Sequence, residues 1–176
     1  KKMRNTKYEI LQCATKLFLE KGYTDAYVTT IAKLLHISTG NLTFHFPTKE
    51  HLLAEIVKEL FLFQGEGSIN GNTPDENSVI TYLGELMVIA AVCEENPMVK
   101  DLVTAAYTHS MSLEVIRIND CQKAVKRFGV YCDGWTSEDY AKAESIVSGI
   151  EYAMLMTENT QNISLEQRVS TALNAI

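Results

Sequence analysis

Residues 31–53, IAKLLHISTGNLTFHFPTKEHLL, hold two short helical patterns parted by a tight polar turn and followed at once by a strongly capped third helix. Ile31, Ala32 and Leu35 stand one and four positions apart, so they share a helix face. Ile37 follows the turn, and Leu42 lies five residues further on in the second short helix. Ser38 is a natural N-cap for that helix, because its hydroxyl accepts a free backbone N–H. Two helices this short bury little by themselves, so the chain must close them against further helices. The pair then turns one short helix outward, an arrangement that suits the major groove of DNA.

The chain has no Val/Ile/Thr-rich alternating run bounded by hairpin turns, and an all-α fold of about nine helices is expected. A first helix over 5–21 carries Ile10, Ala14, Leu17 and Phe18 as its buried stripe, with Gly22 as its stop. Helices over 28–35 and 38–45 follow. Thr48 caps a fourth helix whose buried face is Leu52, Leu53, Ile56, Val57 and Leu60. Gly65, Gly67, Gly71 and Asn72 mark a junction, dividing the chain into 1–64 and 65–176.

Beyond the junction, Thr73-Pro74-Asp75-Glu76 is a capping box with proline at the first helical position. The helix it opens runs to about 95. Asn96-Pro97 repeats the device. Ser110 and Ser112 predict a break, then a helix over 112–128 stopped by Gly129. A loop with Asp133-Gly134-Trp135 leads to a cap at Thr136 or Ser137 and a helix to about 159. Ser164-Leu165-Glu166-Gln167 is a further capping box, opening the last helix.

The net charge of −6 is unevenly spread. Residues 1–58 carry nine Lys/Arg against five Asp/Glu, net +4, which leaves −10 on the remainder. A basic N-terminal third beside an acidic remainder is the asymmetry of a DNA-binding head on a body that avoids DNA. The longest uncharged apolar run, 86–93, is too short to cross a bilayer, which takes about 20 residues. Glu9 and Lys16 interrupt the place where a signal peptide's apolar core would lie. A cytoplasmic protein is expected. Cys13, Cys93, Cys121 and Cys132 form no pair at zinc-ligand spacing, and each sits in or beside an apolar pattern as a buried thiol.

The elements Ala14, Phe18, Lys21-Gly22-Tyr23, Ile31-Ala32, Ile37-Ser38, Gly40, Leu42, His45-Phe46, Lys49-Glu50 and Leu52-Leu53 together resemble the DNA-binding head of the TetR family of bacterial regulators. The resemblance covers about a quarter of the chain. It implies that the third helix enters the major groove while helix two and the start of helix four hold phosphates. Tyr27, Thr29, Ser38, Thr39, Asn41, Thr43, Phe44, His45 and Lys49 are the expected DNA contacts. Asn41 suits bidentate reading of adenine, and Thr39 and Phe44 suit a thymine methyl. Lys49 is expected on a phosphate, since a cation is otherwise unfavourable in the first turn of a helix. Leu42 and Phe46 are expected in the core.

Three residues depart from the family pattern. His36 stands where the family has the turn glycine, which predicts a histidine at positive φ. Thr43 replaces a tyrosine of the recognition helix, and Tyr27 replaces the Ser/Thr that precedes helix two.

The second region has no GxSxG, HExxH, P-loop or dinucleotide fingerprint, so no enzyme, cofactor or metal site is expected. His45 and His51 have no adjoining cysteine to complete a zinc set. Tyr82, Met87, Met98, Tyr107, Met111 and Trp135 form an aromatic and methionine set, and the family resemblance implies an effector pocket there, suited to an apolar or aromatic ligand. The last two helices carry Ala143, Ile146, Val147, Gly149, Ile150, Ala153, Met154, Val169 and Leu173, faces wide enough to pair with a twin. These readings converge on a ligand-responsive regulator, a repressor on family grounds, that binds a palindromic operator as a homodimer and is released by a small-molecule effector. The competing reading is a helical protein-binding adaptor whose head is a relic.

Overall fold

The computed structural model of the chain describes residues 6–67, 78–156 and 163–175. Among the described residues every regular element is a helix: α1 (Thr6–Asp25), α2 (Val28–Leu34), α3 (Thr39–His45), α4 (Lys49–Gly67), α5 (Ser78–Glu95), α6 (Pro97–Thr108), α7 (Ser110–Phe128), α8 (Ser137–Met156) and α9 (Leu165–Ala175). The all-α expectation holds. No helix of the described residues is long and apolar enough to cross a membrane.

The helices divide into two compact units. One comprises Lys1–Gln64 with Asn96–Val115, the other Gly65–Glu95 with Ile116–Ile176. The first unit is therefore larger than the head read from sequence, because α6 packs along α1. Its core is the expected stripe of Ile10, Ala14, Leu17 and Phe18 closed over by Ile31, Ala32, Leu42, Phe46, Leu52, Leu53 and Ile56. Leu60 corrects the expected face of α4, since it is half exposed. α4 also runs through Gly65 and Gly67, where a junction was predicted; Gly71, Asn72 and the Thr73 capping box lie outside the described residues.

Gly22 interrupts α1 at φ 79 and ψ 166, so the regular helix stops where the sequence predicts, and one further turn leads to Asp25. Asp101 of α6 receives that turn. Its carboxylate accepts the Thr24 N–H at 2.7 Å and the Thr24 hydroxyl at 2.8 Å. His109 closes the same side, its Nδ1 3.2 Å from a Glu50 oxygen and its ring 5.1 Å from that of Tyr23. The break between α6 and α7 falls at His109 rather than at Ser112. Ser112 is fully buried, and its hydroxyl donates to the Ala106 carbonyl at 2.8 Å and approaches that of His109 at 3.1 Å. The serine joins the two helices by satisfying carbonyls at the end of α6.

In the second unit α5 packs on α8 and α9, and α8 packs on α9. Leu86, Ala90, Cys93, Ile116, Met154, Leu155, Val169 and Ala172 are buried there. Of the four cysteines only Cys93 is buried; Cys13 on α1, Cys121 on α7 and Cys132 in the turn after α7 are part-exposed, which corrects the expectation of four buried thiols. The starts of α8 and α9 follow the predicted caps. Thr136 and Asp139 form a reciprocal box, with the Thr136 N–H on the Asp139 carboxylate at 2.9 Å, and Ser164 and Gln167 form another. Arg127 forks onto Glu85 at 2.7 and 3.0 Å.

One polar contact lies deep in this unit. The Tyr82 hydroxyl of α5 donates to Glu151 of α8 at 2.5 Å, and the glutamate is buried. Burial pushes the Glu151 carboxyl up to about 7 even though the Tyr82 bond favours its ionised form; Asp120 and Glu144 push the same way as burial.

Candidate nucleic-acid interface

The turn between α2 and α3 is held by backbone hydrogen bonds that close the end of α2. The Ile37 N–H donates to the Ala32 carbonyl at 3.0 Å, and the His36 N–H donates to Lys33 at 3.1 Å. This is the double bond pattern of a Schellman motif, which requires a left-handed residue between the two helices. His36 supplies it at φ 54, as the sequence predicts. Histidine is among the side chains that tolerate the region, and His36 is exposed there.

The next helix is launched by Ser38, extended at ψ 152, whose Oγ accepts the Asn41 N–H at 3.1 Å. With seven residues, α3 has little helical stability of its own, and the cap supplies a partner for one of its orphan donors. Ser38→Ala is expected to lower stability by about 1 kcal/mol in urea unfolding, with Ser38→Asp retaining most of it. Leu42 faces inward and is buried, and Phe46 follows it into the core, as expected. Thr48 then caps α4. Its hydroxyl accepts the His51 N–H at 3.3 Å and lies 2.8 Å from His51 Nδ1. The described residues hold no group of three His, Cys, Asp or Glu that would hold a metal.

With Leu42 inward, the rest of α3 faces solvent. Thr39, Asn41, Thr43 and Phe44 are all exposed, Phe44 at 84% and packed edge-on against the half-exposed ring of His45. Thr43 donates its hydroxyl proton to the Gly40 carbonyl at 3.2 Å. On α2, Thr29 is exposed, and Tyr27 at the N-cap is 63% exposed with no capping bond from its phenol. The structure therefore places eight of the nine expected residues on the two short helices and the turns that open them.

Lys49 is placed differently. Its ammonium donates to the Tyr23 carbonyl and lies 3.4 Å from that of Thr24, with the Tyr23 ring 4.2 Å away. Burial lowers its pKa, while Asp101 and Asp25 pull it back up. The cation at the start of α4 is thus compensated by the carbonyls that end α1 and by two carboxylates, rather than left for a phosphate. Asp101 was not legible as part of this arrangement, because it stands 77 residues from Thr24 and no local pattern links them. Burial, with Glu50 and Asp101 beside it, also pushes the Tyr23 hydroxyl up to about 12.

The six aromatic and methionine residues expected in an effector pocket divide between the units. Met98, Tyr107 and Met111 belong to the first, and Tyr82, Met87 and Trp135 to the second. Tyr82 is engaged with Glu151 and stacks edge-on against Phe128, Met87 is half exposed, and Trp135 packs edge-on against Tyr140 at 5.2 Å.

Residues 10–56 match the family described as "Bacterial regulatory proteins, tetR family". Over 53 residues the chain is 45% identical to the HTH-type transcriptional regulator QacR of Staphylococcus aureus, covering 30% of this chain and 28% of that protein. It is 26% identical over 125 residues to the uncharacterized HTH-type transcriptional regulator YuxN of Bacillus subtilis, covering 71% of this chain and 42% of that one. The matches thus span less than half the length of these two relatives. The fold as a whole is similar to that of a TetR transcriptional regulator from Rhodococcus sp. RHA1, with a TM-score of 0.68 at 17% identity over 98% of this chain and 94% of that one.

Proposed function

We propose, from the membership of this chain in the TetR family of bacterial transcriptional regulators, that it is a DNA-binding regulator that acts as a homodimer on a palindromic operator and is released from it by a small-molecule effector. The observation that carries the reading is α3 itself, a capped helix with one buried anchor, Leu42, and a solvent-facing row of polar and aromatic side chains. Tyr27, Thr29, Ser38, Thr39, Asn41, Thr43, Phe44 and His45 are its proposed DNA contacts. Lys49 acts indirectly, by tying the start of α4 to the end of α1. The work would be done in the cytoplasm, as a regulator and not an enzyme.

Pairing is supported by the outer face of α8, where Ile146 is 65% exposed, Gly149 leaves open space and Ala153 is exposed. Two heads on one face of a duplex must be spaced by about a helical turn, ~34–36 Å, or a multiple. A small change in head separation then costs much of the second half-site's binding, which is how an effector held among the later helices, apolar or aromatic in character, would act. Repression follows from the same logic, as a bound dimer obstructs and an effector-bound one departs.

Titrating the chain into duplexes selected from a random pool at about 50 and about 200 mM salt tests the reading. Specific binding should weaken by an order of magnitude or more at the higher salt, with a log–log slope near −0.9 for each phosphate neutralised. A chain that prefers no sequence, and whose partners are proteins, would be the helical adaptor instead.

A further inference from the structure

Among the side chains α3 turns to solvent, none is a lysine or arginine, and residues 34–48 contain neither. Guanine is read in the major groove chiefly by the bidentate fork of arginine or by lysine on O6 and N7. The exposed set is instead Thr39, Gly40, Asn41, Thr43 and Phe44. Basic residues of the head lie elsewhere, among them Lys33 at the end of α2, Lys7, Lys16 and Lys21 on α1 and Lys49 and Lys58 on α4. Positive charge that draws the head to the duplex and side chains that face the base edges are therefore separate groups of residues.

The chemistry of that exposed set is specific. Asn41 carries a side-chain amide that no hydrogen bond among the described residues occupies, since only its backbone N–H is engaged by Ser38. An amide of this kind pairs with adenine N6 and N7. Thr43 donates its hydroxyl proton to the Gly40 carbonyl, which leaves its γ-methyl and the hydroxyl's lone pairs for a base edge. Phe44 presents an almost fully exposed ring one position further along. Methyl and ring both match the thymine C5-methyl group, the one apolar feature of the major groove. Thr39 is neutral, because a hydroxyl suits either base pair.

We infer that α3 reads adenine and thymine and no guanine, so that the ligand of the head is a duplex whose half-sites are centred on consecutive A·T pairs. The inference rests on the DNA-binding reading above and deepens it. Asn41 takes an adenine, and Thr43 and Phe44 take the methyl groups of neighbouring thymines. Guanines in the operator meet no arginine or lysine fork from α3.

Selection of bound duplexes from random DNA, followed by single-base analogues in the best duplex, tests this. Replacing a half-site thymine by uracil removes only the methyl group, and replacing the Asn41 adenine by 7-deazaadenine removes only an acceptor. Each is expected to weaken binding about tenfold. Replacing guanines by 7-deazaguanine should leave affinity unchanged. Asn41→Ala should relax selection at one position per half-site, and Asn41→Arg should shift that position to guanine, a gain that a misfolded variant would not show. Half-sites centred on G·C pairs, or a tenfold loss with 7-deazaguanine, would overturn the inference while leaving a DNA-binding regulator. No enrichment over the starting pool would overturn that regulator, and the inference with it.

Discussion

Gly22→Ala is expected to cost the first unit about 3–5 kcal/mol, enough to consume much of the stability of an ordinary domain. Two independent penalties act at this position. The backbone stands at φ 79 and ψ 166, a region almost closed to side chains bearing a Cβ, at on the order of 1–3 kcal/mol. A Cβ there would also lie 2.7 Å from the Asp101 carboxylate, which must then retreat. Its retreat releases the Thr24 N–H and hydroxyl, and hydrogen bonds to a charged acceptor contribute about 1.5–3 kcal/mol. Urea unfolding with Asp101→Asn as a companion separates the two. The asparagine keeps one acceptor and leaves Gly22 free, so it should lose only part of what alanine loses. Equal losses for the two variants would mean that φ is not the constraint, and a loss below about 1 kcal/mol for alanine would remove both arguments.

The second large effect is a pH dependence centred on Glu151. In the unfolded chain its carboxyl titrates near the ordinary glutamate value of 4.5, and in the folded chain it is pushed up to about 7. Below the lower value both states hold the proton, and the buried group costs nothing by linkage. As pH rises between the two values, the unfolded state ionises while the folded state does not, so folding stability falls. Above about 7 the loss is complete, on the order of 3 kcal/mol for a shift of this size. The chain is therefore expected to resist denaturant better at pH 5.5 than at pH 8. Glu151→Gln keeps an acceptor for the Tyr82 hydroxyl and has no proton to lose. It should exceed the parent at pH 8 and match it at or below about pH 4.5. Parent and variant following parallel curves over that range would show that Glu151 ionises freely in the folded state. Asp120 and Glu144 stand close enough that replacing either by its amide should move the Glu151 transition to lower pH.

Both effects arise at contacts between elements distant in sequence, and neither contact was legible in the sequence. Gly22 was legible as the stop of α1, since glycine ends helices. That its positive φ also clears room for Asp101 was not. Glu151 lies among Ile150, Tyr152 and Met154, a run that reads as a helix face, and nothing local marks one glutamate there as buried. Lys49 shows the same limit in reverse. Its first-turn position pointed to a phosphate as partner, whereas the groups that compensate it within the chain are the carbonyls of Tyr23 and Thr24 and the carboxylates of Asp25 and Asp101.

The sequence by itself determined the starts of α4, α6, α8 and α9, the stops of α1 and α7, the left-handed His36 turn, the Ser38 cap and the inward Leu42, because each depends on residues within one or two turns of each other. Local hydrogen bonds and helical period are written in short spacings, and those spacings carry the candidate reading face of α3 as well. Only the tertiary structure decided that α6 joins the head, that Lys49 is engaged within it, that the six expected pocket residues divide between two units, and that Tyr82 meets Glu151. Those outcomes depend on which helix faces come together across dozens of residues, and burial and charge pairing at such meetings are set by packing rather than by pattern.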